Sequence, residues 1–267
     1  MRPMVISADR PDLDREQELD INPFGRFSVM VDSRDVNLGS PQQRALLALL
    51  TISANQAVRM DTIIESIWGQ HAPSRVKASI QAHVSRLRKS LTGNTSNNSG
   101  RTPRVEYCST GYSLRIDAGQ INTQRFEKLV EKGRRLPGEG LLEEAAESFR
   151  QALELWRGVP YGDLLHYEFA TQEAARLEEL RLAAVAGMAN CRLKLGDYRS
   201  VTESLGDDVR RYPLREDLAS YYMVALDHSG RRADALHIYE RTRSNLAEEL
   251  GVDVSKGLRS VYHAILG

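Results

Sequence analysis

The sequence predicts a mainly α-helical protein with a small β component, in two parts: a mixed region over residues 21–116 and an all-helical region over residues 123–267. Two patterns predict this. Strand-type alternation brackets three helical runs in the first part, whereas beyond Thr123 helical signals dominate and strand signals nearly vanish. A four-position motif then recurs three times among the later helices. A chain of 267 residues has room for two ordinary domains, and 41% hydrophobic with 27% charged residues suits a folded chain rather than a disordered one.

Residues 1–20 are polar, contain two prolines, and read as a mobile acidic tail. Phe24, Phe27, Val29 and Val31 mark a strand interrupted near its start by Gly25, and Val36 and Leu38 mark its return. Ser40-Pro41 has the form of a helix start, Ser as cap and Pro in the first turn, ahead of the apolar run Arg44–Ile52. A second helix is predicted from Met60 to Trp68, with Asp61 suited to its positive N-terminal end and Gly69 terminating it. A third begins near Pro73-Ser74 and reaches Leu91. Its apolar residues Val76, Ile80, Val84, Leu87 and Leu91 form one stripe. After a polar loop containing Asn94–Ser99, Val105, Tyr107, Tyr112, Leu114 and Ile116 alternate around Ser109-Thr110-Gly111. That predicts a hairpin in which Gly111 supplies the special dihedral. Small sheet, three helices and terminal hairpin is the order of a winged helix-turn-helix.

In the second part, Gly140, Ala145, Phe149 and Trp156 share their spacing with Gly196, Val201, Leu205 and Tyr212, and with Gly230, Ala235, Tyr239 and Leu246. The last two glycines lie 34 residues apart, the period of a tetratricopeptide helix pair. An unrelated helical bundle is the alternative. A long helix is predicted between the units, from Phe169 to Leu195, with loops at 155–164 and near Arg211–Pro213. Arrays of this kind offer concave surfaces to proteins or peptides.

Formal net charge is zero, but the charge is segregated. Residues 1–20 carry −3, residues 21–116 carry +7 and residues 117–267 carry −4. No acidic residue occurs between Glu65 and Glu106, an interval that contains Arg75, Lys77, Arg86, Arg88, Lys89, Arg101 and Arg104. A basic stripe confined to one segment suits phosphate contacts. A solvated face without a partner would normally mix acids among its bases, and the third helix has none. Its outward residues are Arg75, Ala78, Ser79, Ala82, Ser85, Arg86 and Lys89, with Gln81 and His83 on the flanks. Small residues permit close approach to a groove, Arg and Gln have the donor geometry to read base edges, and Lys suits phosphates. Arg86, His83, Ala82 and Ser79 are therefore expected to face the major groove. Lys77, Arg88, Lys89 and Arg104 are assigned to phosphates and Thr110 to the wing tip, although the angle of Arg88 puts it near the buried stripe, where a structural pairing is the alternative.

Catalytic and metal-binding signatures are missing. There is no phosphate loop, nucleophile elbow, H-E-x-x-H or C-x-x-C pair, and the six histidines are scattered. Cys108 and Cys191 lie far apart, so neither a disulfide framework nor a zinc site is expected. The carboxylates around Glu143–Glu147 and Glu173–Glu179 read as solvated helix faces beside arginines. With no apolar run of about 18 residues and no signal-like N-terminus, the expectation is a cytoplasmic protein, not an enzyme, without cofactor or metal.

Ordered matches along residues 23–267 resemble the Streptomyces antibiotic regulatory protein family. They comprise Phe24-Gly25, Leu38-Gly39, Pro41–Leu47, Ile67–Gly69, Gln81–Leu91 and Gly111–Leu114, then Arg125–Glu127, Leu153–Gly158, Glu173–Arg181, Pro213–Glu216 and Leu246–Val252. The resemblance implies an OmpR-type winged helix joined to a tetratricopeptide-like bacterial transcriptional activation domain. It further implies an activator of specialised-metabolite gene clusters, at the nucleoid, that binds direct repeats in double-stranded DNA and recruits RNA polymerase holoenzyme as a homodimer or as paired protomers. Without a phosphate loop, the chain resembles a small stand-alone member. Two other readings stand beside it: a helical-repeat adaptor that binds proteins, and a repressor built from the same parts. If the acidic tail competes for the basic face, deleting residues 1–20 raises affinity for random duplex DNA at low salt in a binding titration. Unchanged affinity removes that idea.

Overall fold

The computed structural model describes residues 19–92 and 103–267, so most of the N-terminal tail, the Asn94–Ser99 loop and Arg101 lie outside the described residues. Strand β1 (Leu19–Asn22) pairs antiparallel with β2 (Ser28–Val31), Leu19 opposite Val31 and Ile21 opposite Val29. A two-residue turn at Asp32 and Ser33, both at positive φ, leads to β3 (Arg34–Asp35). The tail expected to extend to residue 20 therefore ends earlier. Leu19 is buried, and the Asp20 carboxylate accepts a hydrogen bond from Asn122 at 3.1 Å. A truncation that spares the sheet stops at residue 18.

Helix α1 (Pro41–Ile52) starts as its sequence dictates: the Ser40 side chain accepts from the Gln43 amide, and Pro41 occupies the first turn. Its residues Ala45–Leu50 are all buried, making it the central helix of the first part. Helix α2 (Met60–Trp68) ends at Gly69 with φ +53°. Helix α3 (Val76–Thr92) starts two to three residues later than expected, and its stripe of Val76, Ile80, Val84, Leu87 and Leu91 is buried. Strands β5 (Arg104–Cys108) and β6 (Gly111–Arg115) form the hairpin.

A two-residue strand, β4 (Val58–Arg59), completes a second sheet of order β4–β6–β5. It changes the role of Gly111. The glycine is not at positive φ; a side chain there would place its Cβ 1.9 Å from the Val58 carbonyl oxygen. Glycine is required because β4 crosses against it, not to make the turn. The turn is held instead by the Met60 amide donating to the Thr110 carbonyl at 2.9 Å.

The second part consists of α4 (Asn122–Arg135), α5 (Leu142–Glu154), α6 (Glu168–Lys194), α7 (Tyr198–Arg211), α8 (Glu216–His228), α9 (Arg232–Leu250) and α10 (Lys256–Leu266). The repeated glycines Gly140, Gly196 and Gly230 all sit at φ between +75° and +79°, each ending one helical stretch before the next begins. At the next two repeat positions Ala145, Val201 and Ala235, then Phe149, Leu205 and Tyr239, are buried in the helix–helix contacts. The fourth position is not equivalent. Trp156 and Tyr212 fall just beyond α5 and α7, whereas Leu246 lies inside the longer α9.

The hydrophobic interior does not divide between the two parts. One core runs from β1 through the first three helices and the hairpin into α4, α5 and one face of α6, from Ala170 to Cys191. A second is built from the trailing portion of α6 with α7–α10. The first is closed by a clamp around the turn after β1. The Tyr161 amide donates to the Pro23 carbonyl and the Gly162 amide to the Gly25 carbonyl, both at 2.8 Å. Asp163 accepts from the Phe27 amide at 2.8 Å and from the Arg44 guanidinium at 2.5 Å. Phe24 packs between Phe126 and Trp156, with ring centroids at 5.5 and 4.8 Å, and Phe27 stacks on Tyr161 at 5.8 Å.

Replacing Asp163 with Ala removes the partner of a mostly buried guanidinium and of a backbone amide, and is expected to cost about 2–3 kcal/mol in urea unfolding. Gly111→Ala is expected to cost at least about 2 kcal/mol by forcing β4 from β6. A wild-type midpoint for that variant would contradict the steric role.

Candidate nucleic-acid interface

Because the inner stripe of α3 is fixed in the core, its opposite face is committed to solvent. Lys77, Ala78, Gln81, Ala82, Ser85, Arg86, Arg88 and Lys89 are exposed there, and Arg75 is exposed immediately before the helix. Lys77, Arg86, Lys89 and Arg75 make no ion pair among the described residues. Ser79 is half-buried, and its hydroxyl donates back to the Arg75 carbonyl at 3.4 Å. Helix α3 thus brings most of the predicted residues onto one surface, with Arg104 and Thr110 exposed on the neighbouring hairpin.

Two predicted residues are placed differently from the rest. His83 is half-buried and stacked against Trp68 at 6.3 Å, and its Nδ1 is enclosed without a hydrogen-bond partner among the described residues. Burial, reinforced by the nearby Arg86 charge, lowers its pKa below the usual imidazole value, favouring the neutral ring. Arg88 is exposed as a residue but donates from Nε to the Val105 carbonyl at 2.7 Å. That bond ties the recognition helix to β5 and sets the angle between helix and wing, the structural pairing that its position near the stripe allowed.

Sequence patterning misses two residues at this surface. Arg59 is exposed on β4, paired in register with Gly111 at the wing. Tyr107 was placed in the alternating core series of the hairpin, yet it is 65% exposed. It lies on the same strand face as buried Val105 but beyond the end of the core, and meets Tyr112 edge-on, centroid to centroid 5.4 Å. With Arg88, Lys89 and Arg104 it lines a shallow groove between the end of α3 and β5. An exposed aromatic among bases is a signal that charge counting cannot register.

The acidic clusters are ion-paired. Arg150 bridges Glu147 and Glu154, holding the Glu147 carboxyl down at about 2, and Arg176 joins Glu173 to Glu127. Glu178 departs from the solvated reading: it is half-buried and shared between Arg181 and the Tyr212 hydroxyl. No metal-binding group of three or more His, Cys, Asp or Glu occurs among the described residues, and no described helix is long and apolar enough to cross a membrane.

A basic recognition helix beside a β-wing, fused to an array of antiparallel helices, defines a two-domain transcriptional regulator. Comparison with known proteins agrees. The family model described as "Transcriptional regulatory protein, C terminal" matches residues 34–103, and "Bacterial transcriptional activator domain" matches residues 121–266. Regulatory protein DnrI of Streptomyces peucetius is 31% identical over 93% of this chain and 92% of its own length. Transcriptional regulatory protein EmbR of Mycobacterium tuberculosis is 33% identical, and regulatory protein AfsR of Streptomyces coelicolor 32%. The chain spans 64% and 26% of those two relatives. The solved structure of M. tuberculosis EmbR in complex with a low affinity phosphopeptide superposes with a TM-score of 0.88 over 94% of this chain and 65% of the other, at 32% identity. The chain belongs to the Streptomyces antibiotic regulatory protein family.

Since the folded-state pKa of His83 lies below 6.5, the unfolded chain binds the proton more readily. Its contribution to stability is therefore complete above about pH 6.5 and is lost as pH falls toward the folded-state value. His83→Gln should flatten the stability profile across that interval. Arg88→Ala is expected to lower stability by about 1–2 kcal/mol without DNA present, through the lost bond to Val105; an unchanged melting temperature would show that the tie does not hold the wing.

Proposed function

We propose that the protein is a sequence-specific DNA-binding transcriptional activator that works by binding, not by catalysis. The observation that carries this reading is the acid-free face of α3, on which Lys77, Arg86 and Lys89 make no ion pair among the described residues. Arg86 and Ala82 are positioned for base edges in the major groove, with Gln81 and Ser85 beside them. Ser79 and His83 stand at the margin, where the enclosed Nδ1 of His83 leaves only Nε2 of its ring to reach a groove. Arg75, Lys77, Lys89 and Arg104 supply phosphate contacts, Arg88 joins them while holding the wing, and Thr110 meets the backbone from the wing tip. Membership of the Streptomyces antibiotic regulatory protein family supports regulation of a specialised-metabolite gene cluster through direct repeats upstream of the promoter. Paired protomers on such repeats would place two helical domains side by side, where they can recruit RNA polymerase holoenzyme.

Fluorescence-anisotropy titrations on a tandem-repeat promoter fragment test the face. Each cation that neutralises a phosphate adds about 0.9 to the slope of log affinity against log salt. Lys89→Ala should reduce that slope by about one unit on any duplex. Arg86→Ala should cost about 1–3 kcal/mol on the cognate repeat and relax its preference over random DNA. If the double variant keeps wild-type affinity and salt dependence, DNA does not bind this face. Transcription in vitro with purified polymerase reads the sign of regulation, which should be positive.

A further inference from the structure

A cleft of about 270 Å³ opens between α5, α6 and α7 at the seam between the two hydrophobic cores, far in sequence from the recognition helix. Trp156, Met188 and Leu205 form apolar walls, and Arg181, Ser204 and Asp208 bring polar groups to it. The hydrogen bonds within this group decide what it can take. The Arg181 guanidinium donates to Asp208 Oδ1 at 2.7 Å and to Glu178 Oε1 at 3.1 Å, and lies over the rings of Trp156 and Tyr212. One cation thus faces two carboxylates. Asp208 Oδ2 accepts no hydrogen bond among the described residues. The Ser204 hydroxyl donates to the Ser200 carbonyl at 2.7 Å, which leaves only its lone pairs to a guest. The cleft's Arg181 and Asp208 balance in charge, and the unused hydrogen-bonding capacity beside the apolar walls is acceptor capacity.

We propose that this cleft is an effector site for a small organic cation, with an apolar body against Trp156 and Met188 and a protonated amine directed at Asp208 Oδ2 and Ser204. Such a guest bears directly on the DNA-binding part. The Trp156 ring that walls the cleft also packs on Phe24 at 4.8 Å, and Phe24 belongs to the turn gripped by Tyr161 and Gly162. Occupancy is therefore felt at the clamp through a single aromatic contact.

The test uses the full chain, ¹⁵N-labelled and free of DNA, so its outcome stands apart from the DNA-binding reading. Phenethylamine is titrated while the two indole N–H resonances are followed, Trp68→Phe providing their assignment. The Trp156 resonance should move saturably while that of Trp68 stays fixed, and the Gly162 amide should move with the same affinity. Asp208→Asn should weaken binding about tenfold or more, as expected for loss of a charge-assisted hydrogen bond. Ala189→Leu, which fills the cleft without touching its charges, should abolish binding, and 3-phenylpropionate, of similar shape but opposite charge, should not saturate. The proposal is overturned if no saturable shift appears up to on the order of 10 mM amine, if the carboxylate binds equally well, or if binding survives in Ala189→Leu. A Gly162 amide that does not respond to a bound amine overturns the coupling.

Discussion

The backbone of Pro23–Gly25 lies against that of Tyr161–Asp163, and the position of every other element follows from that contact. Two backbone hydrogen bonds, one carboxylate shared by a backbone amide and a guanidinium, and a set of stacked rings join a turn near the start of the chain to a loop more than 130 residues later. Two glycines serve this approach through their backbone: Gly25 sits at φ +86° and Gly158 at φ +147°, conformations that residues with side chains rarely adopt. Arg44 projects from the central helix α1, so the clamp reaches the element on which α3 packs. The recognition face is thereby oriented with respect to the helical array.

Much of this arrangement was legible in the residues. The caps of α1, the stop at Gly69, the buried stripe of α3 and the glycine spacing of the helical array all depend on neighbours within one or two turns, where sequence is a direct guide. The parts that escaped depend on distant partners. Two residues at Val58–Arg59 carry no periodicity, and they are a strand only because β6 offers them an edge. Gly111 looks like a turn residue until β4 is seen crossing it. Tyr107 obeys the alternation of a core strand but extends past the core that would cover it. The clamp is invisible to local reading: Phe24-Gly25 reads as an interrupted strand start, Trp156 as a repeat position and residues 155–164 as a loop, with nothing to say that they touch.

Charge segregation shows the same division between local and distant causes. The basic interval is evident as a run without acids, and the fold arranges its cations on one surface by burying the alternate face of α3. Which bases are free and which are structural is decided elsewhere. Arg88 is drawn to a strand carbonyl and Arg44 to a loop carboxylate, both cations in a segment whose net charge alone would assign them to a polyanion. In the acidic second part, ion pairs along and between helices hold most of the charge in place, so its net −4 is distributed over paired surfaces and not gathered into a patch.

Helix α6 deserves a separate consideration because it belongs to both hydrophobic cores. At about 1.5 Å per residue its 27 residues form an uninterrupted rod roughly 40 Å long, with Ala170, Leu177, Ala184, Met188 and Cys191 in the first core and Leu182, Val185 and Ala189 in the second. Sequence families divide this chain between residues 103 and 121, where one profile stops and the other begins. The packing does not divide it there: both interiors share α6, overlapping on different faces over residues 182–191, so the helix cannot be cut without exposing them. The portable piece is accordingly larger than the winged-helix module: a chimera that carries the winged helix to a new effector domain must bring α4, α5 and α6 with it.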